Sequence, residues 1–234
     1  MHNARTAILV AGHSIVRDWT RLESDEGWFL LDFQRGEATR YIEHARRGVE
    51  LAAADPAALL LFTGGQSRAA AGPRSEAHSY FGVAEHHGWW GFEDVSQRVA
   101  TEEFARDSFE NLLFSLARFK ELTGGYPEHV TLVGWEFKRE RFHLHREAIR
   151  WPQSRFHYDG PNNPPDLEPA VAAEARARDR YRVDPYSASA EFQAKRAERN
   201  PFRRQHGYFT SCPELAPLFQ HPGPEAFRGP LPWE

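Results

Sequence analysis

Cysteine is nearly absent: one residue, Cys212, in a chain of 234. A lone cysteine excludes an intramolecular disulfide and a cysteine-based zinc cluster, and it fits a reducing compartment, so a cytoplasmic location is expected. Long apolar runs are also missing. Ala7–Ala11 is far shorter than the ~18 residues that a membrane span requires, and nothing longer follows, so no membrane partner is expected. Charge of one sign is not in excess either. A net charge of −4 creates no field that would call for nucleic acid. Three sequence signatures of common enzyme classes do not occur. Gly64-Gly65 is not followed by the Gly-Lys-Ser/Thr of a phosphate loop, no Gly-x-Gly-x-x-Gly is found, and no Gly-x-Ser-x-Gly elbow marks a serine hydrolase.

What is present is a pattern of buried strands and amphipathic helices, with enough hydrophobic residues (41%) for a real core. Ala7–Ala11 reads as a strand closed by Gly12. Residues 13–36 read as a long ordered loop holding Trp19, Trp28 and Phe33. Ala38, Tyr41, Ile42, Ala45, Val49 and Ala52 recur at helical spacing, and Asp55-Pro56 ends that helix. Strands are expected at 58–63, 98–101 and 129–134, with an edge strand at 155–158. Helices are expected at 75–87, from the capping box Asp107-Ser-Phe-Glu110 to Gly124-Gly125, and from Lys138 to about Arg150. Continuous apolar strands alternating with helices predict an α/β fold: a Rossmann-like three-layer α/β/α sandwich around a mainly parallel sheet of about five strands. The proline-rich segment after Gly160 divides the chain into an α/β domain, 1–159, and a helical C-terminal extension, 160–234, that packs on the same domain because it has too few apolar residues for its own core.

In an open parallel sheet, ligands bind outside the carboxyl ends of the strands, where strand order reverses. Four strand ends carry chemistry. His13 follows the first strand and is a candidate proton-transfer group. Gly64, Gly65 and Gln66 follow the second, where successive amides can form an anion nest, with Arg74 close behind and Glu76 opening the next helix. Glu102, Asp107 and Asn111 follow the third, Glu102 being the carboxylate without a capping role. Lys138 and Arg141 follow the fourth, in what reads as a first helical turn. Cations there oppose the helix dipole at ~0.3–1 kcal/mol each when exposed, and an incoming anion would offset that cost. His143, His145, Glu136 and Glu140 have spacings seen in metal sites, but the neighbouring cations argue against a metal.

The order of these motifs resembles the YdcF/SanA/ElyC-like family, and in particular its fungal-type branch. The matching residues are Gly12, Thr63-Gly64-Gly65, Ser75-Glu76-Ala77, Glu102 with Ser108-Phe109-Glu110-Asn111, and Lys138-Arg139-Glu140-Arg141. Lys195-Arg196 and Arg199-Asn-Pro201 resemble the fungal branch. The chain departs from the bacterial pattern at Lys138, where a histidine is common, and at Asp107, where an asparagine is usual, and a membrane anchor of the bacterial kind is not expected. The resemblance implies a Rossmann-like fold and a ligand crevice, with S-adenosylmethionine or a nucleotide as a cofactor to consider. Residues and resemblance together lead to one expectation: a domain that binds a small anionic, nucleotide-like or phosphorylated ligand, and, if an enzyme, a hydrolase or transferase. Catalytic roles fall to His13, Glu76 and Glu102, and ligand binding to Gly64, Gly65, Gln66, Arg74, Asp107, Asn111, Lys138 and Arg141. The competing expectations are a non-catalytic S-adenosylmethionine or nucleotide sensor, and an interaction scaffold that uses the aromatic loop with Trp89-Trp90.

Overall fold

Apolar runs without polar alternation can be satisfied only when both faces of a strand are covered. The computed structural model, which describes residues 3–234, places them in that setting. Five strands, β1 (Thr6–Ala11), β2 (Ala58–Thr63), β3 (Val99–Glu102), β4 (His129–Trp135) and β5 (Phe156–Asn162), form one sheet in the order β3-β2-β1-β4-β5. Every pairing is parallel, with Leu9 opposite Leu61 on one side and Leu132 on the other. This is a Rossmann-like three-layer α/β fold.

The period-two alternation of a strand sends side chains to two separate cores. Ile8, Val10, Leu60 and Phe62 join the core under α1 (Ala38–Ala54) and α2 (Glu76–His86). Ala7, Leu9, Leu59 and Leu61 join the core under α3 (Ser108–Thr123) and α4 (Arg139–Ala148). Gly48 lets α1 lie directly on β1: a Cβ there would sit 2.3 Å from Val10 Cγ2.

Helix ends follow local chemistry. The Ser75 hydroxyl accepts from His78 N and starts α2. Asp107 caps α3 by accepting from Glu110 N at 2.9 Å, and Gly124 closes it at φ 89°. Only half of the expected capping box forms, because the Glu110 carboxylate turns to Arg106 instead. The basic segment also starts differently. Glu136–Lys138 is a 3-10 turn, α4 begins at Arg139, and Lys138 stands at the N-cap.

Residues 12–37 carry three 3-10 turns and an isolated antiparallel bridge between Val16 and Trp28. Trp28 is buried, and its indole N–H donates to Leu22 O. Past β5 the chain forms α5 (Leu167–Val183), α6 (Ala190–Glu198) and the short α7 (Tyr208–Ser211) and α8 (Ala216–Phe219). Their Tyr181, Phe192, Tyr208 and Leu218 share one core with Leu9 and Leu132 of the sheet. The expected division at 159/160 falls inside β5. Among the described residues no helix is long and apolar enough to cross a membrane.

Candidate functional site

The chain leaves β3 at one sheet edge and returns as β4 beside β1, so strand order reverses between β1 and β4. A cavity of about 510 Å³ opens at the carboxyl ends of these strands and is roofed by α5 and α6. Of the residues singled out in the sequence, His13, Glu76, Asp107, Asn111, Lys138 and Arg141 line it.

His13 sits where β1 ends. Its ring stacks on Trp135 at 5.7 Å and meets His44 edge-on at 5.4 Å. Burial, reinforced by Lys138, holds its pKa well below the usual histidine value, so the ring is neutral at pH 7. Its Nε2 has no protein partner.

At the end of β4 the cations separate into two kinds. Arg139 is consumed: it makes two bonds to Glu136 and one to Tyr158 O. Lys138 has no carboxylate within ion-pair distance, lies over the Phe137 ring at 5.4 Å, and is pushed down to about 7 by burial and by Arg141. Arg141 reaches across to Glu174 of α5 at 2.5 Å. Burial raises the Glu174 pKa, against the pull of Arg141 and Lys138.

The second strand end differs from the expected anion nest. Gly64 N donates to Glu102 O and Gly65 N to Ala105 O, so both amides are spent inside the protein. Gln66 donates to Pro73 O, and Arg74 donates to Ala71 O and Val16 O; these side chains stitch the loop and do not line the cavity. Glu76 does line it, accepting from the Ser67 hydroxyl. Arg68 also faces it, donating to Gln34 Oε1.

Glu102 turns inward, away from the cavity, with 1% exposure. Its carboxylate accepts from Thr63 Oγ1, Phe104 N, Ala105 N and Tyr208 OH. Burial raises its pKa to about 7, and these four donors oppose the rise. That position suits a structural carboxylate joining β2, β3 and the extension. Asp107 is in the cavity wall, but its carboxylate binds Arg196 Nε at 2.7 Å; burial would raise its pKa, yet Arg196 holds it at about 2. Asn111 accepts from Thr63 Oγ1 at 3.3 Å.

Eleven of the thirty lining residues lie in the extension, which the strand-end rule does not reach. Glu174 and Tyr181 from α5, Lys195 from α6 and Arg199 just beyond it all line the cavity. The one sequence signal for them was the Lys195-Arg196 and Arg199-Asn-Pro201 likeness. Among the described residues, four lining cations have no carboxylate within 4.0 Å: Arg68, Lys138, Lys195 and Arg199. Towards α5 the lining mixes the apolar Pro164, Pro165, Ala170 and Ala173 with the carboxylates of Asp166 and Glu174, and the 76%-exposed Phe33 lies in it too.

The chain is 28% identical over 232 residues to an uncharacterised Saccharomyces cerevisiae protein, YOR238W, covering 78% of this chain and 77% of that protein. No family model and no solved structure matches the chain. The likeness to a fungal protein agrees with the fungal-type character of the motifs.

Proposed function

We propose that this cavity binds a small phosphorylated or nucleotide-like anion and that the protein hydrolyses it or transfers a group from it, as a member of the YdcF-like set. The observation that carries the reading is the group of four cations, Arg68, Lys138, Lys195 and Arg199, facing one cavity without carboxylate partners. Lys195 is exposed and the other three are half-buried, so what an arriving anion would relieve is the mutual repulsion of like charges gathered on one cavity. Cations from the strand ends and from the extension converge here, so a ligand would be held on two sides. Lys138 and Arg141 would stabilise negative charge developing on a transferring group, and the neutral His13, whose Nε2 has no protein partner, can hydrogen-bond the ligand.

The same charge pattern argues against S-adenosylmethionine, whose sulfonium is a cation. The scaffold reading keeps only part of its surface: Trp28 and Trp89 are buried and Trp90 is half-buried, while Trp19 and Phe33 stay exposed.

Thermal unfolding with inorganic phosphate and with pyrophosphate is the direct test. At a hundredfold excess over Kd, a native-state ligand adds ~2.7 kcal/mol of stability. Lys138→Ala and Arg199→Ala should remove most of that protection while leaving the ligand-free transition near the native one. Equal protection of the native protein and both variants would show that the anion binds elsewhere. No protection of the native protein would remove the reading altogether.

A further inference from the structure

One hydroxyl in the cavity wall is paired with an imidazole. Ser108 is the first residue of α3 and lines the cavity, and its Oγ lies 2.8 Å from His145 Nε2. His145 is one helical turn from Arg141 on α4, so the two share a helix face. Its ring is fully buried and held edge-on by Tyr181 at 4.4 Å, Phe142 at 5.6 Å and Phe109 at 5.8 Å. That packing fixes the imidazole against the serine. His145 Nδ1 has no protein partner, so Ser108 is the ring's hydrogen-bonding contact. Burial, together with Arg141, pushes the ring pKa down to about 3, which leaves it neutral with one nitrogen lone pair free. A phosphate dianion entering the cavity would raise its proton affinity. The carboxylate next door does not repel that dianion, because Asp107 is cancelled by Arg196 at 2.7 Å. The other lining serine, Ser67, gives its hydrogen bond to Glu76.

Building on the anion site above, we propose that Ser108 is the nucleophile of this cavity and His145 the base that takes its proton, so that a phosphomonoester is cleaved through a phosphoserine. In the first step Ser108 Oγ bonds to phosphorus, its proton passes to His145 Nε2, and the bond from phosphorus to the ester oxygen breaks. The leaving oxygen departs with the bonding pair and takes a proton from solvent. In the second step a water oxygen bonds to phosphorus and releases a proton to solvent. The Oγ–phosphorus bond then breaks, and Oγ recovers its proton from His145. The net change is ester plus water to alcohol plus phosphate, with no redox partner. Arg141, Lys195 and Arg199 line the same space and would meet the charge on the phosphoryl oxygens.

The test uses the full chain with p-nitrophenyl phosphate, whose leaving group needs no proton at neutral pH. Rapid quench and peptide mass spectrometry should find a phosphoryl increment on the Ser108 peptide, formed in a burst with p-nitrophenolate. Ser108→Ala should lose the increment, and His145→Gln should slow its formation by ~10²-fold or more. Inorganic phosphate should still raise the melting temperature of Ser108→Ala, which shows an intact cavity. A phosphoryl group on Ser67 or elsewhere, release undiminished in Ser108→Ala, or no increment in the native protein would overturn the nucleophile. If phosphate protects the native protein in those cases, the anion site stands and only Ser108 falls. If phosphate gives no protection, both readings fail.

Discussion

Glu102 shows how a single carboxylate can look functional in sequence and prove structural in space. It follows a strand end, but its side chain points into the protein, where backbone amides Phe104 N and Ala105 N each donate to one of its oxygens. Its pKa is raised from 4.5 to about 7. A raised folded-state value means that the native state holds the proton more tightly than the unfolded chain. The stability this contributes is therefore full below about 4.5 and lost as pH rises through about 7. Glu102→Gln cannot reproduce the bonding, since its amide NH2 would face a backbone N–H donor. The substitution should cost ~1–3 kcal/mol of stability at pH 4.5, the penalty of an unsatisfied buried donor. The gap to the native protein should narrow towards pH 8, because the native carboxylate then carries a buried charge. Urea midpoints across that range measure it. A gap that widens with pH would show that the charged form is the favoured one, and lost anion protection in the variant would return Glu102 to the site.

At the scale of elements, the joint between α3 and α6 holds the cavity wall together. Arg196 of α6 is 8% exposed and lies between Asp107 at 2.7 Å and Glu110 at 3.2 Å, while Arg106 closes the network on Glu110. Arg196→Ala leaves two buried carboxylates served by one guanidinium. A broken buried pair costs ~3–5 kcal/mol, and chemical denaturation should show a loss of that size. A loss below ~1 kcal/mol would mean that the joint is solvated. Neither this joint nor the Ser108–His145 pair was legible in the sequence, because the partners stand 89 and 37 positions apart. The strands were legible, since an apolar run has one stable place in a parallel sheet. So was the location of His13, Lys138 and Arg141, because the strand-end rule needs only strand boundaries. The fate of Gly64 and Gly65 was not legible: whether a loop amide is free or spent depends on which carbonyl, here that of Glu102 or Ala105, folds against it. Sequence pattern locates an element, and partner choice among polar groups waits for the tertiary contacts.

At the scale of the whole molecule, the extension is part of the fold and of the site. The boundary expected at 159/160 would cut β5, whose Tyr158 hydroxyl donates to Trp135 O at 2.7 Å. It would also strip Tyr181, Phe192, Tyr208, Leu215 and Trp233 from the core that covers one face of the sheet. The apolar surface of α3 and α4 that those residues cover would then meet water, at ~25 cal/mol for each Å² exposed. The polar losses act in the same direction. Glu102 would lose Tyr208, Asp107 would lose Arg196, Arg141 would lose Glu174, and the cavity would lose the cations at 195 and 199. A chain ending at residue 159 should therefore lack a cooperative unfolding transition by circular dichroism and give no phosphate-dependent shift. Supplying residues 160–234 as a separate chain should restore both only where the two pieces associate, as gel filtration would report. A truncated chain that unfolds cooperatively would show instead that the sheet with α1 to α4 is self-sufficient, and the extension would then be a cover over the site.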